Sequence, residues 1–286
     1  MTYIFWGGKE IGSYVLRNLI QDGILPAGIV SYQNIIDESV LNLAREKQIP
    51  VLQVDRFKKS LPQMEQFVKE SGADSFVSVS FPFILPGSIL RLVKTPVNIH
   101  TGAIPRYRGY HPISAALLND EPYQGTTVHL MAEEVDAGDV LLQDFVPVKN
   151  TDTINNVKGA LIELSYRLLR KVLDQIANGT LYPKKQVGEV IWAPKRGPED
   201  SRIDFSKPSR YLHNFIRALE TPYPNAFGFV NGERIHISSS LTGNTPGEVI
   251  ALTTDGRYVV ATGDGVVIIT ADRPLNIGDR ISSTQE

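Results

Sequence analysis

Short β-rich runs, separated by stretches whose apolar residues recur at helical spacing, fill residues 2–81 and limit the fold of this chain more than any other feature. TYIFWGG (2–8) has strand character, and Ile11, Val15, Leu16 and Leu19 behind it mark one face of a helix. AGIVSY (27–32) is a second run, after which Asp37 is placed to cap a helix carrying Val40, Leu41, Leu43 and Ala44. PVLQVD (50–55), a Lys-rich helix ending near Gly72, and SFVSVSF (75–81) continue the series. Strands that alternate with helices call for a mostly parallel sheet with helices on both faces, so the expected class is α/β and Rossmann-like.

The pattern breaks after Gly125. TTVHLMAEE and DVLLQDFVPV are β runs with only VDAG between them, too little chain for a crossover helix, so a loop or hairpin joins them. A long helix over 153–179 follows, its stripe made by Val157, Leu161, Leu164, Leu168, Val172 and Ile176. LYPKKQVGEVIWAPKRGPEDS is polar and proline-bearing and has the composition of a linker. Beyond a helix at Tyr211–Leu219, short strands are punctuated by Asn231-Gly232, Asp255-Gly256 and Asp264-Gly265, the spacing of a small antiparallel barrel. The expected organisation is a catalytic domain over 1–182, a linker over 183–208 and a β-barrel module over 209–286.

Charge and composition then exclude several classes of function. Lys+Arg (29) and Asp+Glu (31) nearly cancel, and basic residues occur only as pairs such as Lys58-Lys59, Lys184-Lys185 and Lys195-Arg196. A surface that tracks nucleic acid carries a basic excess, so no nucleic-acid partner is expected. The absence of cysteine removes thiolate catalysis, disulfides and cysteine-built zinc sites. MTYIFWGGKEIG lacks a signal peptide's basic start and apolar run, and no stretch is apolar for the ~18–20 residues of a membrane span. The expectation is a cytoplasmic enzyme with no membrane partner.

Three segments are candidates for chemistry. Gly7, Gly8 and Gly12 with Lys9 follow the first strand, but their spacing is neither a dinucleotide fingerprint nor a Walker loop. Two readings stay open there, a tight strand-to-helix turn or a phosphate site using amides and Lys9. In PVNIHTGAIPRYRGYHP (96–112), Asn98 and His100 alternate with Val97 and Ile99, so both polar groups point to one face of a strand. Open α/β sheets place their sites beyond the carboxyl ends of the strands, where this segment enters a Pro/Gly/Arg loop. In GTTVHLMAEEVDAGDVL (125–141), Asp136 and Asp139 sit on a turn, which alone is equally a solvated acidic turn. His111, His129, His213 and His236 are scattered and are taken as structural or surface residues.

Taken together, N-I-H, the PRYRG loop and V-D-A-G-D resemble the folate-dependent formyltransferases. That resemblance implies catalytic Asn98, His100 and Asp136. It implies pterin binding by the main chain around Phe83, Ile84 and Leu85 in SVSFPFILP, with Asp139 also on the folate side. The implied co-substrate is 10-formyltetrahydrofolate, and no catalytic metal is expected because these donors suffice. TPYPNAFGFVNGERIHI (221–237) resembles the segment opening the family's C-terminal module. The family's tRNA enzyme carries a basic insertion after its second strand, whereas SYQNIIDESVLN is short and acidic. KRGPEDSRIDF and YLHNFIRAL (211–219) resemble the sugar-nucleotide N-formyltransferases, which implies a UDP- or dTDP-linked 4-amino-4-deoxy sugar as acceptor. Lys9, Thr101, Arg106, Tyr107 and Arg108 are the expected substrate contacts. The alternatives are methionyl-tRNA formyltransferase, a hydroxyornithine formyltransferase, or a binding module that has kept the fold. A homodimer is the default oligomer.

Overall fold

The computed structural model describes residues 1–33, 35–221, 223–243, 247–253, 255–262, 264 and 266–283. Asn34, Pro222 and Gly265, which fall in stretches singled out above, lie outside the described residues. The chain forms two compact units. The first comprises 1–109, 124–146 and 159–192, and the second comprises 110–123, 147–158 and 193–286.

The first unit is built on a seven-stranded sheet in the order β3-β2-β1-β4-β5-β7-β8. Its strands are β1 (Tyr3–Gly7), β2 (Gly28–Tyr32), β3 (Val51–Val54), β4 (Ser75–Val79), β5 (Thr95–His100), β7 (Tyr123–Leu130) and β8 (Val140–Pro147). The strand pairs from β3 through to β5 are parallel, and β7 joins β5 antiparallel. Two further short strands are β6 (Arg106–Gly109) and β9 (Ile191–Ala193). Every residue of β1 and β4 is buried, so both faces of the sheet are covered there, which is why neither strand carries a charged residue. Helix α1 (Lys9–Gln21) turns Val15, Leu16, Leu19 and Ile20 inward. Helix α2 (Glu38–Glu46) begins at Asp37, whose side chain accepts the Ser39 amide at 2.8 Å. Between β7 and β8 lies only the 131–139 turn, as the missing crossover length required.

At the β1–α1 turn the Gly8 amide donates to the Val79 carbonyl and the Lys9 amide to the Ile35 carbonyl. The Gly8 and Lys9 amides are therefore engaged by the chain itself. The long helix spans Ile154–Ala177 and buries Val157, Leu161, Leu164, Leu168 and Val172. No helix among the described residues is long and apolar enough to cross a membrane.

The second unit holds a five-stranded antiparallel sheet in the order β10-β11-β14-β13-β12. These are Ala226–Val230, Glu233–Gly243, Val249–Leu252, Tyr258–Ala261 and Val266–Ala271 for β10 to β14 in chain order. Asn231 and Gly232 both have positive φ (50° and 75°) between β10 and β11, the backbone an Asn-Gly hairpin turn demands. Residues near 280–282 bridge to Phe229 at one edge and Glu248 at the other, which draws the sheet toward a barrel. The helix Ser209–Arg217 lies on it, and Leu212, Phe215 and Ile216 join Ile203, Phe205, Ile235, Val260 and Ile269 in one core. Ile203 and Phe205, from the stretch read as a linker, are thus core residues of this unit.

Candidate active site

Strand β5 brings the first two candidates to the sheet edge. Val97 and Ile99 point into the core, and Asn98 and His100 share the other face. Because β7 runs antiparallel to β5, its residue opposite Asn98 is His129, and Thr127 lies opposite His100. Cross-strand partners have their Cβ atoms about 5 Å apart on the same face, close enough for direct contact. Asn98 Nδ2 lies 3.0 Å from His129 Nε2, and His129 Nδ1 lies 2.7 Å from the Leu130 carbonyl. That carbonyl calls for the hydrogen on Nδ1, which leaves Nε2 as the acceptor for the amide and fixes which way Asn98 points.

Asp136 reaches the same place from the 131–139 turn. Its φ is 51°, in the left-handed region where Asp is better tolerated than most residues. A Cβ on Gly138 would fall 1.8 Å from the Leu130 carbonyl oxygen, so this turn closes against β7 only with glycine there. Asp136 Oδ2 accepts the Gly109 amide at 2.9 Å and lies 3.3 Å from His100 Nδ1, while Oδ1 lies 3.5 Å from His129 Nε2. His100 Nε2 in turn sits 2.6 Å from the Tyr107 carbonyl. A Cβ on Gly102 would fall 2.5 Å from that Nε2, so the loop after β5 leaves room for the ring only with glycine. Asn98, His129, Asp136 and His100 therefore form one chain of polar contacts, with the last two side chains 10% and 8% exposed.

The charges in this chain follow from burial and neighbours. Burial alone would raise the Asp136 carboxyl. The His100 charge, the neighbouring His129 ring and the Gly109 amide outweigh it and hold the group at about 2. Burial lowers His100 below its ordinary value of 6.5, against the pull of Asp136 and the Tyr107 carbonyl. A buried imidazole with an oxygen at each nitrogen is equipped to take up a proton and give it back.

The remaining candidates divide. Strand β4 pairs with β5 through Val79↔Ile99, so the segment leaving β4 starts at the level of Asn98 and His100. In that segment Leu85 is buried, Ile84 is 55% exposed, and the Phe83 ring packs on Tyr32 and Phe57 at 4.9 and 4.6 Å. The main-chain groups of Phe83, Ile84 and Leu85 belong to no helix or strand and make no backbone hydrogen bond among the described residues. Asp139 lies 3.0 Å from Lys185. Thr101 offers its carbonyl to Gln124 at 2.7 Å. Tyr107 is buried, and the exposed Arg106 lies over its ring at 5.5 Å. Arg108 is buried, its Nε and Nη2 on Gln186 Oε1 at 3.1 and 2.7 Å and its Nη1 on Glu134 at 3.1 Å, rather than solvated in a loop. The Lys9 side chain is exposed. Among the described residues no group of three or more His, Asp or Glu is arranged to hold a metal ion. Sequence reasoning passed over His129, although alternation in T-T-V-H-L puts Thr127 and His129 on one face. It also passed over Gln186, for which no sequence signal existed.

Comparison with known proteins agrees with this layout. A family model described as formyl transferase matches residues 12–173, and one described as formyl transferase, C-terminal domain, matches 195–276. The methionyl-tRNA formyltransferase of Halalkalibacterium halodurans is 32% identical over 287 residues, covering 95% of this chain and 89% of that protein. That of Streptococcus sanguinis is 31% identical, covering 96% and 91%. Among solved structures, WlaRD, a sugar 3N-formyl transferase crystallised with dTDP and 5-N-formyl-THF, superposes with a TM-score of 0.73 at 19% identity, covering 96% of this chain and 99% of that one. The N-formyltransferase of Helicobacter canadensis, in complex with folinic acid and dTDP-3-aminofucose, gives 0.72 at 20% identity, with 98% and 99% covered. At that identity these structures share the fold.

Proposed function

The chain belongs to the formyl transferase family, and from that premise we propose that it moves the formyl group of 10-formyltetrahydrofolate onto the amine of a UDP- or dTDP-linked 4-amino-4-deoxy sugar. The observation that carries the formyl-transfer reading is the contact chain from Asn98 through His129 and Asp136 to His100. The folate supplies an activated formyl carbon. The segment at Phe83–Leu85 suits its pterin, since main-chain donors and acceptors stand unused there beside an aromatic wall.

The residues of the chain then divide the work. Negative charge that develops on the formyl oxygen needs donors already in place. The Asn98 amide keeps one N–H beyond the one that His129 accepts, and that donor is worth about 3–4 kcal/mol when well aimed. An amine attacks only when neutral and must shed a proton as its new bond forms. His100, lowered by burial, is unprotonated near neutral pH and takes that proton, which the Asp136 carboxylate stabilises from 3.3 Å; the proton passes on to the folate nitrogen as its bond to the formyl carbon breaks, and tetrahydrofolate leaves. Asp136 itself, at about 2, stays ionised and serves to orient the ring rather than to act as the base.

For the acceptor, β2 ends at Tyr32 and α2 starts at Glu38. The short connection ends in Asp37, which caps the helix and faces Arg17 at 3.5 Å. This leaves no room for a basic insertion, and the net charge is -2. Both features favour a small anionic acceptor over tRNA. The curated relatives favour methionyl-tRNA, which is therefore the second reading. Supplying 10-formyltetrahydrofolate with UDP- and dTDP-4-amino-4-deoxy sugars, and separately with methionyl-tRNA across a salt series, decides between them. Mass-detected N-formyl sugar is the expected product. Formylation of tRNA alone, fading steeply with salt, would transfer the assignment to the second reading, and no formyl product from any amine would end the enzymatic one.

A further inference from the structure

From Tyr182 to Val190 the chain is exposed at every position except Gln186. Tyr182, Val187 and Val190 are 74%, 87% and 40% exposed and Pro183 is exposed too, so no apolar side chain there anchors the segment. The Gln186 carboxamide is saturated instead. Nε2 donates to the carbonyls of Asp136 and Gly138, both at 2.7 Å, and Oε1 accepts from Arg108 Nε and Nη2. Two donors and two lone pairs are all the group possesses. The residues it joins have a common role. Arg108 stands between Tyr107, whose carbonyl meets His100 Nε2, and Gly109, whose amide meets Asp136 Oδ2. The two carbonyls flank Ala137, and holding them fixes the peptide planes that follow Asp136, itself at positive φ.

We propose that Gln186 is a positioning residue for Asp136, tying the 131–139 turn to β6 so that the carboxylate is aimed at His100 and the Gly109 amide. The inference rests on the formyl-transfer reading above. Other contacts keep the segment docked without this side chain. Lys184 and Val140 exchange backbone hydrogen bonds at 2.7 and 2.8 Å, so loss of the carboxamide acts locally.

Two substitutions separate its ends. Gln186→Met keeps the length and removes every hydrogen bond, whereas Gln186→Glu keeps an acceptor for Arg108 and removes both donations to the turn. In both, kcat falls about 10- to 100-fold, the scale of an ångström-level misplacement, with KM for folate within about twofold. The acid limb of the pH–kcat profile also moves in both. In substrate-free protein the Gly109 amide resonance shifts in both variants, an arm that reads the clamp even if wild-type protein transfers no formyl group. Wild-type kcat in Gln186→Glu, or a Gly109 resonance unmoved in Gln186→Met, overturns the proposal.

Discussion

Replacing Asp136 by asparagine keeps the outline of the side chain and an oxygen for the Gly109 amide, and it removes the charge facing His100 Nδ1 at 3.3 Å. Opposite unit charges at that separation attract by about 5 kcal/mol at an effective dielectric constant of about 20. Both side chains are nearly buried, so little water stands ready to replace the carboxylate, although the relief of its own desolvation offsets part of the loss. If roughly half survives as lost stabilisation of protonated His100, the barrier rises by about 2.5 kcal/mol and kcat falls about 70-fold. The pH profile carries the sign. Asp136 raises the His100 pKa, so its removal lowers that pKa further and moves the acid limb of kcat to lower pH. Single-turnover formyl transfer across pH 5–9 measures both effects, and a thermal melt checks the fold. A melt like the wild type, with kcat within about threefold and the acid limb unmoved, would refute the role given to this carboxylate.

His129→Phe removes the acceptor that holds the Asn98 amide, and kcat is expected to fall about tenfold, the worth of one hydrogen bond, with His129→Gln recovering part of it in steady-state assays. Gly138→Ala forces a methyl to within 1.8 Å of the Leu130 carbonyl oxygen unless the turn moves, so an unfolding free energy lowered by about 1–3 kcal/mol in urea titrations is expected together with reduced kcat. Acidification destabilises in two windows. The unfolded chain protonates His100 at its ordinary 6.5 while the fold resists, so stability declines below that value, and His100→Gln flattens the decline between pH 7 and 5 in urea titrations. Asp136, lowered from 3.8 to about 2, contributes about 2 kcal/mol that is present above pH 4 and lost as pH falls through 2, and Asp136→Asn flattens that part.

What could be read in the sequence was set by the range of the interaction. Strand and helix alternation is a short-range signal, and β1 to β5 with their helices lie where the apolar periodicity puts them. The shared face of Asn98 and His100 follows from alternation within six residues of β5. His129 joins them through strand register, and register between β5 and β7 is a property of pairing across 31 positions that one sequence does not display. Gln186 was hidden for another reason. Its surroundings have the lysine, proline and glycine content of a loop, and one anchored side chain has no period. Arg108 shows the same limit. A basic residue in a Pro/Gly loop reads as solvated or as a phosphate ligand, and only the fold reveals the carboxamide and carboxylate that enclose it.

The groups that touch His100 and Asp136 belong to β5 and β7 of the sheet, to the turn whose glycine packs on the Leu130 carbonyl, and to β6, which meets that turn through Gly109 and Arg108. Side chains held this way tolerate little displacement, which is what preorganised donors require. The connection from β2 to α2 is held differently, by a helix cap and a partly exposed ion pair, and its length is free to vary without disturbing β5. One fold can therefore keep a single formyl-transfer chemistry while its strand-end loops accept different amines. The same separation explains why relatives about 30% identical share the family while their acceptor does not pass to this chain by similarity alone.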